Sequence, residues 1–251
     1  MDLIITDLSI FPNMYLVKGL IANNENGFDW DSYFLNKSEK KKDISPALES
    51  IFTAARSHLK ENHALLGFVF QKFMRQLLKD VRFPSPPRIL ELGAATGFLT
   101  KWLVDNSGGT GTLVDRSDQA YAAFMDTMDA KNASMTYVRE DIFRLQLPPQ
   151  YDIVCSFGVI EHFPDKTEII STHKKFLSDN GYALIIIPLD SPLTRAFYEV
   201  NFELNQGYRE LLTSAEFLKI LIAENLEVIN TARSEGYVYD IVGALCRIPS
   251  R

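Results

Sequence analysis

Residues 88–99 read Arg88-Ile89-Leu90-Glu91-Leu92-Gly93-Ala94-Ala95-Thr96-Gly97-Phe98-Leu99: an apolar strand, an acid near its end, a turn of small residues, then the start of a helix. Parallel α/β sheets bind ligands beyond the carboxyl ends of their strands, where a turn of Gly and Ala lets a ligand approach the backbone closely. Gly93, Ala94 and Gly97 are therefore candidate cradle residues. A G-x-G-x-x-G fingerprint for a dinucleotide would need glycine at 95 and glycine or alanine at 98, where this chain has Ala95 and Phe98. A pyrophosphate cradle is disfavoured.

Outward from this stretch, strand and helix patterns alternate, which implies a mostly parallel sheet covered by helices. The strand candidates are Arg88 to Leu92, Thr110 to Asp115, Met135 to Val138, Asp152 to Phe157 and Tyr182 to Pro188. Helical patterns fall at Gly97 to Asn106, Asp118 to Ala130 and Lys166 to Leu177. A polar and aromatic segment, Leu189 to Leu212, precedes a helix opened by Thr213, Ser214 and Glu216. Two strand-like runs, Leu226 to Ala232 and Tyr237 to Arg247, close the chain. Upstream of Pro84-Ser85-Pro86-Pro87, a long helical pattern begins near Ser45-Pro46 and runs toward Asp80, with Leu66, Val69 or Phe70, Phe73 and Leu77 on one face. Its aromatics read as core packing, or as a lid that touches ligand.

Acids end three successive strands. Asp115 lies 18 residues after Gly97, where a carboxylate accepts hydrogen bonds from both hydroxyls of a ribose; Arg116 beside it is a second candidate. Asp141, followed by the apolar Ile142, is placed to accept from an adenine amino group while its neighbour covers the ring. The fourth strand runs into Ser156-Phe157-Gly158-Val159-Ile160-Glu161-His162-Phe163.

Together these residues resemble the class I S-adenosylmethionine-dependent methyltransferases, and the Gly158 to Phe163 run resembles their small-molecule branch. The resemblance covers about Pro87 to Arg247. It implies an α/β fold with a Rossmann-like, doubly wound, mostly parallel seven-stranded sheet, its last strand antiparallel beside the fifth. With the helical pattern upstream of the proline break, the expected organisation is a helical N-terminal cap over 1–86 and a methyltransferase domain over 87–251, with a substrate-side insertion at about 189–212. S-adenosyl-L-methionine is the implied cofactor: Glu91 and the Gly93-to-Gly97 turn would hold its methionine end, Asp115 its ribose, and Asp141 with Ile142 its adenine. The backbone around Ser156 and Phe157 would meet the methionine amino group, and Ala95 stands where the family usually has glycine. Family members that modify N6 of adenine or cytosine carry an Asn/Asp-Pro-Pro-Tyr/Phe or Pro-Cys motif after the fourth strand, which here reads Ser156-Phe157-Gly158.

Methyl transfer from a sulfonium is an in-line displacement, so positioning supplies most of the acceleration and a base is needed only where the acceptor must lose a proton. His162, with Glu161 beside it, is the candidate for that proton; the alternative is that the two open the next helix or brace its loop. His58, His63 and His173 lie on helical patterns without metal-ligand partners, and no metal site is expected. For the acceptor, Tyr33 from the N-terminal part and Arg195 and Tyr198 from the insertion are candidates, with ordinary packing and a surface role as alternatives. An aromatic face stabilises a sulfonium, and an arginine fork clamps a carboxylate.

The whole chain of 251 residues carries 26 Lys and Arg against 32 Asp and Glu, a net charge of −6. That balance leaves no footprint for a nucleic-acid backbone, and the short basic run Lys37 to Lys42 reads as a solvated linker. No apolar run reaches the ~18 residues of a membrane span. The N-terminus does not read as a secretory signal, and Cys155 and Cys246 lack C-x-x-C spacing, so a cytoplasmic protein without a disulfide framework is expected. The expected activity is methyl transfer to O or N of a small organic acceptor. Transfer or cyclisation of the aminocarboxypropyl arm, releasing methylthioadenosine, and non-catalytic cofactor binding stay open, and oligomeric state is not set by the sequence.

Overall fold

The structure, a computed structural model, describes residues 63–83, 86–127, 134–200, 207–235 and 239–249. In chain order it contains α1 (His63–Leu77), β1 (Arg88–Leu92), α2 (Phe98–Ser107), β2 (Thr110–Val114), α3 (Asp118–Thr127) and β3 (Met135–Val138). There follow β4 (Tyr151–Phe157), a 3-10 turn (Ile160–His162), α4 (Lys166–Lys175), β5 (Leu177–Pro188), α5 (Pro192–Val200), α6 (Ser214–Ala223), β6 (Glu227–Ser234) and β7 (Ile241–Arg247). The seven strands form one sheet in the order β3-β2-β1-β4-β5-β7-β6. β1 to β5 pair in parallel, and β7 runs antiparallel between β5 and β6. This is the expected doubly wound sheet, antiparallel last strand included.

β4 and β7 are buried along almost their whole length, as central strands covered on both faces are, and β7 reads as the matching apolar run. Successive side chains leave on opposite faces. Leu90, Val154 and Ile185 join one core with Phe176, Phe217 and Leu221. Ile89, Cys155 and Ile186 join the other, with Phe70, Phe73 and Leu77 of α1 and Leu99 and Leu103 of α2. The winding reverses between β1 and β4, which opens a crevice beyond their carboxyl ends.

Residues 63–77, expected in the N-terminal cap, thus pack directly on the sheet. Phe70, Phe73, Met74 and Leu77 are buried, matching the expected face. A Cβ on Gly243 of β7 would lie 2.7 Å from Leu77 Cδ2 and 2.9 Å from the Phe73 ring, so glycine there allows the helix its close approach. The start expected at Ser45-Pro46 lies outside the described residues.

Other boundaries shift for local reasons. β5 begins at Leu177 rather than Tyr182, because Leu177 pairs with Tyr151 ahead of an irregularity in the ladder. Ser178 to Gly181 looks like a turn by composition, yet it lies within the strand. Thr213 and Glu216 form a reciprocal capping box on α6, as the sequence suggested. The 189–212 excursion contains helix α5 and is closed at its neck by a bridge between Leu189 and Leu212. No helix among the described residues is long and apolar enough to cross a membrane.

If α1 is part of the domain core, Phe73→Ala leaves a cavity between helix and sheet and lowers stability by about 3–5 kcal/mol. Urea denaturation followed by circular dichroism measures this; a loss under about 1 kcal/mol would mean that the helix is dispensable.

Candidate active site

The turn after β1 is bent by three left-handed residues: Gly93 at φ 66°, Ala95 at φ 48° and Gly97 at φ 73°. At Gly93 a Cβ would fall 2.7 Å from Val159 Cγ2, and at Gly97 2.8 Å from Leu113 Cδ2, so the conformation and the space both call for glycine. Ala95 carries a Cβ in the same conformation, which costs an L-residue roughly 1–2 kcal/mol. Two bonds hold it there: its N–H donates to Asp115 Oδ2 at 3.0 Å, and its carbonyl accepts from Tyr137 Oη at 3.0 Å. Those contacts explain how the turn keeps its shape without a third glycine. Ala94 is buried, and its N–H donates to Val114 O at 2.9 Å.

Two buried carboxyl groups lie behind the turn. Glu91 Oε2 accepts from Thr100 N at 2.9 Å, tying the end of β1 to the first turn of α2. Burial pushes its pKa up to about 7, against the lowering effect of the Thr100 contacts and with a smaller upward push from Asp115. Asp115 follows β2; besides Ala95 it accepts from Ser117 N at 2.9 Å on Oδ1. Its pKa is also raised, by burial above all. The Arg116 backbone N–H also acts on the carboxylate, and the acceptor capacity left on its two oxygens is what a ribose hydroxyl would use.

These residues fit S-adenosylmethionine on two counts. The turn is a cradle whose glycines have no room for a Cβ. The donor set pairs an acceptor-rich acid at the ribose position with a second buried acid, and burial opposes the charge on both, so a cationic ligand beside them restores it.

The remaining cofactor candidates are placed at the same edge. Arg116 Nη1 lies 3.5 Å from Asp141 Oδ2 across the outer rim, and Asp141 Oδ1 accepts from Phe143 N at 2.9 Å. Ile142 packs half-buried against the core. Phe157 stacks on Phe70 of α1, with centroids 6.3 Å apart and planes 13° from parallel, and Phe70 also meets Phe98 at 4.9 Å. The N-terminal helix therefore brings an aromatic ring between the residues that follow Gly97 and precede Gly158.

Beyond β4, Gly158 turns at φ 70° into the 3-10 turn that carries Glu161 and His162, both buried. They do not cap the next helix: Asp165 does, accepting from Thr167 N at 2.8 Å. The turn is instead clamped by the return leg of the 189–212 excursion. Glu210 N donates to Glu161 O at 2.9 Å, and His162 Nδ1 lies 2.9 Å from Tyr208 O. A carbonyl only accepts, so the ring proton is on Nδ1. Nε2 then carries the lone pair, 3.8 Å from Glu161 Oε1. Burial, aided by the Arg209 charge, pulls the His162 pKa well below its usual value, which weakens it as a proton acceptor. Burial pushes Glu161 up to about 7, while Arg209 and Lys166 pull it down.

The acceptor candidates separate. Arg195 spends its fork on Asp190, with Nε to Oδ1 at 2.5 Å and Nη2 to Oδ2 at 2.6 Å, rather than presenting it to a ligand. Tyr198 is buried with Arg209 over its ring at 3.9 Å, beside the Glu161–His162 turn. Tyr33 lies outside the described residues. His173 is buried and bonded to Ser156 Oγ at 2.9 Å and Ile169 O at 2.8 Å, a packing role.

Sequence reasoning missed Arg209, Lys166 and Glu210. Arg209 is 2% exposed, and Lys166 Nζ pairs with Glu210 Oε2 at 2.8 Å. The available signal was Tyr208-Arg209-Glu210 sitting directly before the apolar Leu211-Leu212 at the end of the aromatic segment.

Comparison with known proteins places this site in a family. Residues 62–231 match the family described as "Methyltransferase domain". The malonyl-[acyl-carrier protein] O-methyltransferase of Bacillus anthracis is 28% identical over 151 residues, which cover 60% of this chain and 52% of that protein. The chain thus spans about half the length of the curated relatives it matches. Among solved structures, the Burkholderia thailandensis 1,6-didemethyltoxoflavin-N1-methyltransferase, with bound 1,6-didemethyltoxoflavin and S-adenosylhomocysteine, superposes with a TM-score of 0.56 at 14% identity, covering 84% of this chain and 94% of its own. The N-methyltransferase NodS of Bradyrhizobium japonicum WM9, in complex with S-adenosyl-L-homocysteine, gives 0.55 at 18% identity, covering 88% and 100%. A sheet of this order, a glycine turn backed by Glu91 and Asp115, and a family match over residues 62–231 lead to one assignment: the chain belongs to the methyltransferase domain family, with the class I S-adenosylmethionine-dependent fold.

Proposed function

We propose that the protein transfers a methyl group from S-adenosylmethionine to an oxygen or nitrogen of a small organic acceptor. The observation that carries the reading is the Asp115 carboxylate, buried at the carboxyl end of β2 and fixed by the N–H groups of Ala95 and Ser117. It ties the cradle turn to the position where a ribose is held. The relatives named above methylate oxygen or nitrogen by their own descriptions, which supports the acceptor atoms.

S-adenosylmethionine supplies a methyl group on a positively charged sulfur. The residues of this chain bind and orient. Glu91 and the turn from Gly93 to Gly97 hold the methionine end, Asp115 the ribose, and the rim of Arg116, Asp141 and Ile142 the adenine. The backbone at Ser156 and Phe157 meets the amino group, and the aromatic ring of Phe157, backed by Phe70, closes that side against water. Tyr198 and the Glu161–His162 turn face the acceptor. Holding the reacting atoms in line supplies most of the rate in such a displacement.

Asp115→Ala removes two charge-assisted hydrogen bonds to ribose and weakens S-adenosylhomocysteine binding by about 2–4 kcal/mol, or roughly 30- to 1000-fold. Calorimetry measures it, and an unchanged dissociation constant refutes the ribose assignment. The reaction itself is read by mass spectrometry of the adenosine product, with purified protein, S-adenosylmethionine and a small-molecule extract against a no-protein control. Protein-dependent S-adenosylhomocysteine that grows with extract is expected. Protein-dependent methylthioadenosine in its place would show that the amino-acid arm is used, and cofactor binding with neither product would mark a binding protein.

A further inference from the structure

We propose that Glu161 is the proton acceptor of the site, that His162 is its positioning partner, and that the acceptor is accordingly a hydroxyl or N–H compound rather than a carboxylate. The proposal rests on the methyltransferase reading above and assigns roles within it.

Glu161 is set up for this by the turn that carries it. The 3-10 turn folds its side chain back toward the end of β4, so that Oε1 lies 3.4 Å from where a Cβ on Gly158 would stand. Gly158 ends the strand at the crevice, and its N–H is held by Ile186 O at 2.9 Å. The other oxygen, Oε2, is buried with no hydrogen-bond partner among the described residues. A buried carboxyl oxygen left without a partner is costly, and an arriving O–H or N–H donor satisfies it.

His162 acts on the carboxyl from the other side. With its proton on Nδ1 and committed to Tyr208 O, its Nε2 lone pair faces Glu161 Oε1 at 3.8 Å. An ionised Glu161 sets two electron-rich atoms against each other, and a protonated one turns the contact into donor and acceptor. The pair therefore gains by taking up one proton. Arg209 and Lys166 are the cations that act on it, and Glu210 neutralises Lys166 through their ion pair. Burial against these cations leaves the Glu161 carboxyl near 7, where a general base works best, whereas His162 stays neutral. In the step, the proton of the acceptor's O–H or N–H passes to Oε2 and the bonding pair remains on the acceptor atom as the nucleophile. Glu161 then returns the proton to water after product leaves. A carboxylate acceptor, already ionised at neutral pH, would have no proton to give.

Glu161→Gln is the test, because the amide keeps the shape, can donate toward His162 Nε2, and cannot take a proton. The first readout needs no acceptor: thermal melting of the full chain from pH 5 to 9. A carboxyl whose pKa is raised by folding stabilises while protonated and loses that stabilisation as pH climbs through its folded value. The raised carboxyls Glu91, Asp115 and Glu161 each lower the melting temperature as pH climbs, and the buried neutral His162 and His173 act in the opposite sense. Glu161→Gln removes the Glu161 share, so the mutant should lose less stability between pH 5 and 8 than wild type does. The second readout is S-adenosylhomocysteine formation with the small-molecule extract. Wild-type turnover should rise to a plateau above about pH 7; Glu161→Gln should lose about 100-fold or more with S-adenosylhomocysteine affinity unchanged. His162→Asn, which can still donate to Tyr208 O but no longer sets a lone pair against Glu161 Oε1, should move the midpoint of the profile downward. A Glu161→Gln enzyme within about threefold of wild type, an unchanged melting slope, or an acceptor that proves to be a carboxylate overturns the proposal alone. A wild type that forms no S-adenosylhomocysteine overturns the methyltransferase reading and the proposal with it.

Discussion

The whole site hangs on the Asp115 carboxylate. It is one side chain at the end of one strand, yet it bonds the N–H of Ala95 in the turn after β1 and the N–H of Ser117 at the start of α3. Two crossovers of the sheet are thereby locked to each other at the crevice. Without it, Ala95 would have little reason to stay at φ 48°, since nothing in an alanine favours that conformation. The relation runs both ways: the strained turn fixes the carboxylate's orientation, and the carboxylate fixes the turn. Strain at a binding turn is stable only when the surroundings over-determine it, and here the Tyr137 hydroxyl supplies the second constraint.

The fold was legible because each of its signals is local or periodic. Apolar runs such as Ile185-Ile186-Ile187 can be buried on both faces, and the glycine turn after Leu92 has one economical use at a strand end. The antiparallel final pair followed from the resemblance rather than from any residue. Strand limits were less legible: Ser178-Asp179-Asn180-Gly181 has turn composition, but pairing of Leu177 with Tyr151 draws it into β5. Tertiary pairing overrides local preference in this way wherever a ladder can be extended.

At the site, the division is between groups that sit on the fold's regular frame and groups that arrive from loops. Glu91 lies near the end of β1, and Asp115 and Asp141 come just after β2 and β3, so their positions follow from the alternation of strand and helix. Arg195 and Arg209 come from the same excursion and look alike in the sequence, yet one forks onto Asp190 at the surface side and the other is buried over Tyr198. No spacing rule separates them, because what decides is the path of residues 190–212 between the bridge at Leu189 and the clamp on the 3-10 turn. The Arg195 fork illustrates the limit: a residue chosen for its ability to bind a carboxylate found one five positions away in its own chain.

The same clamp ties the Glu161–His162 turn to the excursion as a whole. Tyr208 fixes the imidazole tautomer, Glu210 holds the Glu161 backbone and balances Lys166, and Arg209 sets the field felt by both buried groups. Three consecutive residues of the return leg thus tune two consecutive residues of the turn. The residues proposed to hold the cofactor, by contrast, stand on the sheet and the turns that leave it. The 3-10 turn and the insertion pack against each other, so a change of length or register anywhere between Leu189 and Leu212 acts directly on Glu161 and His162, the pair proposed to handle the proton. On the proposed reading, the residues that select the acceptor are therefore separate from Asp115 and the glycine turn, and the two can be altered independently.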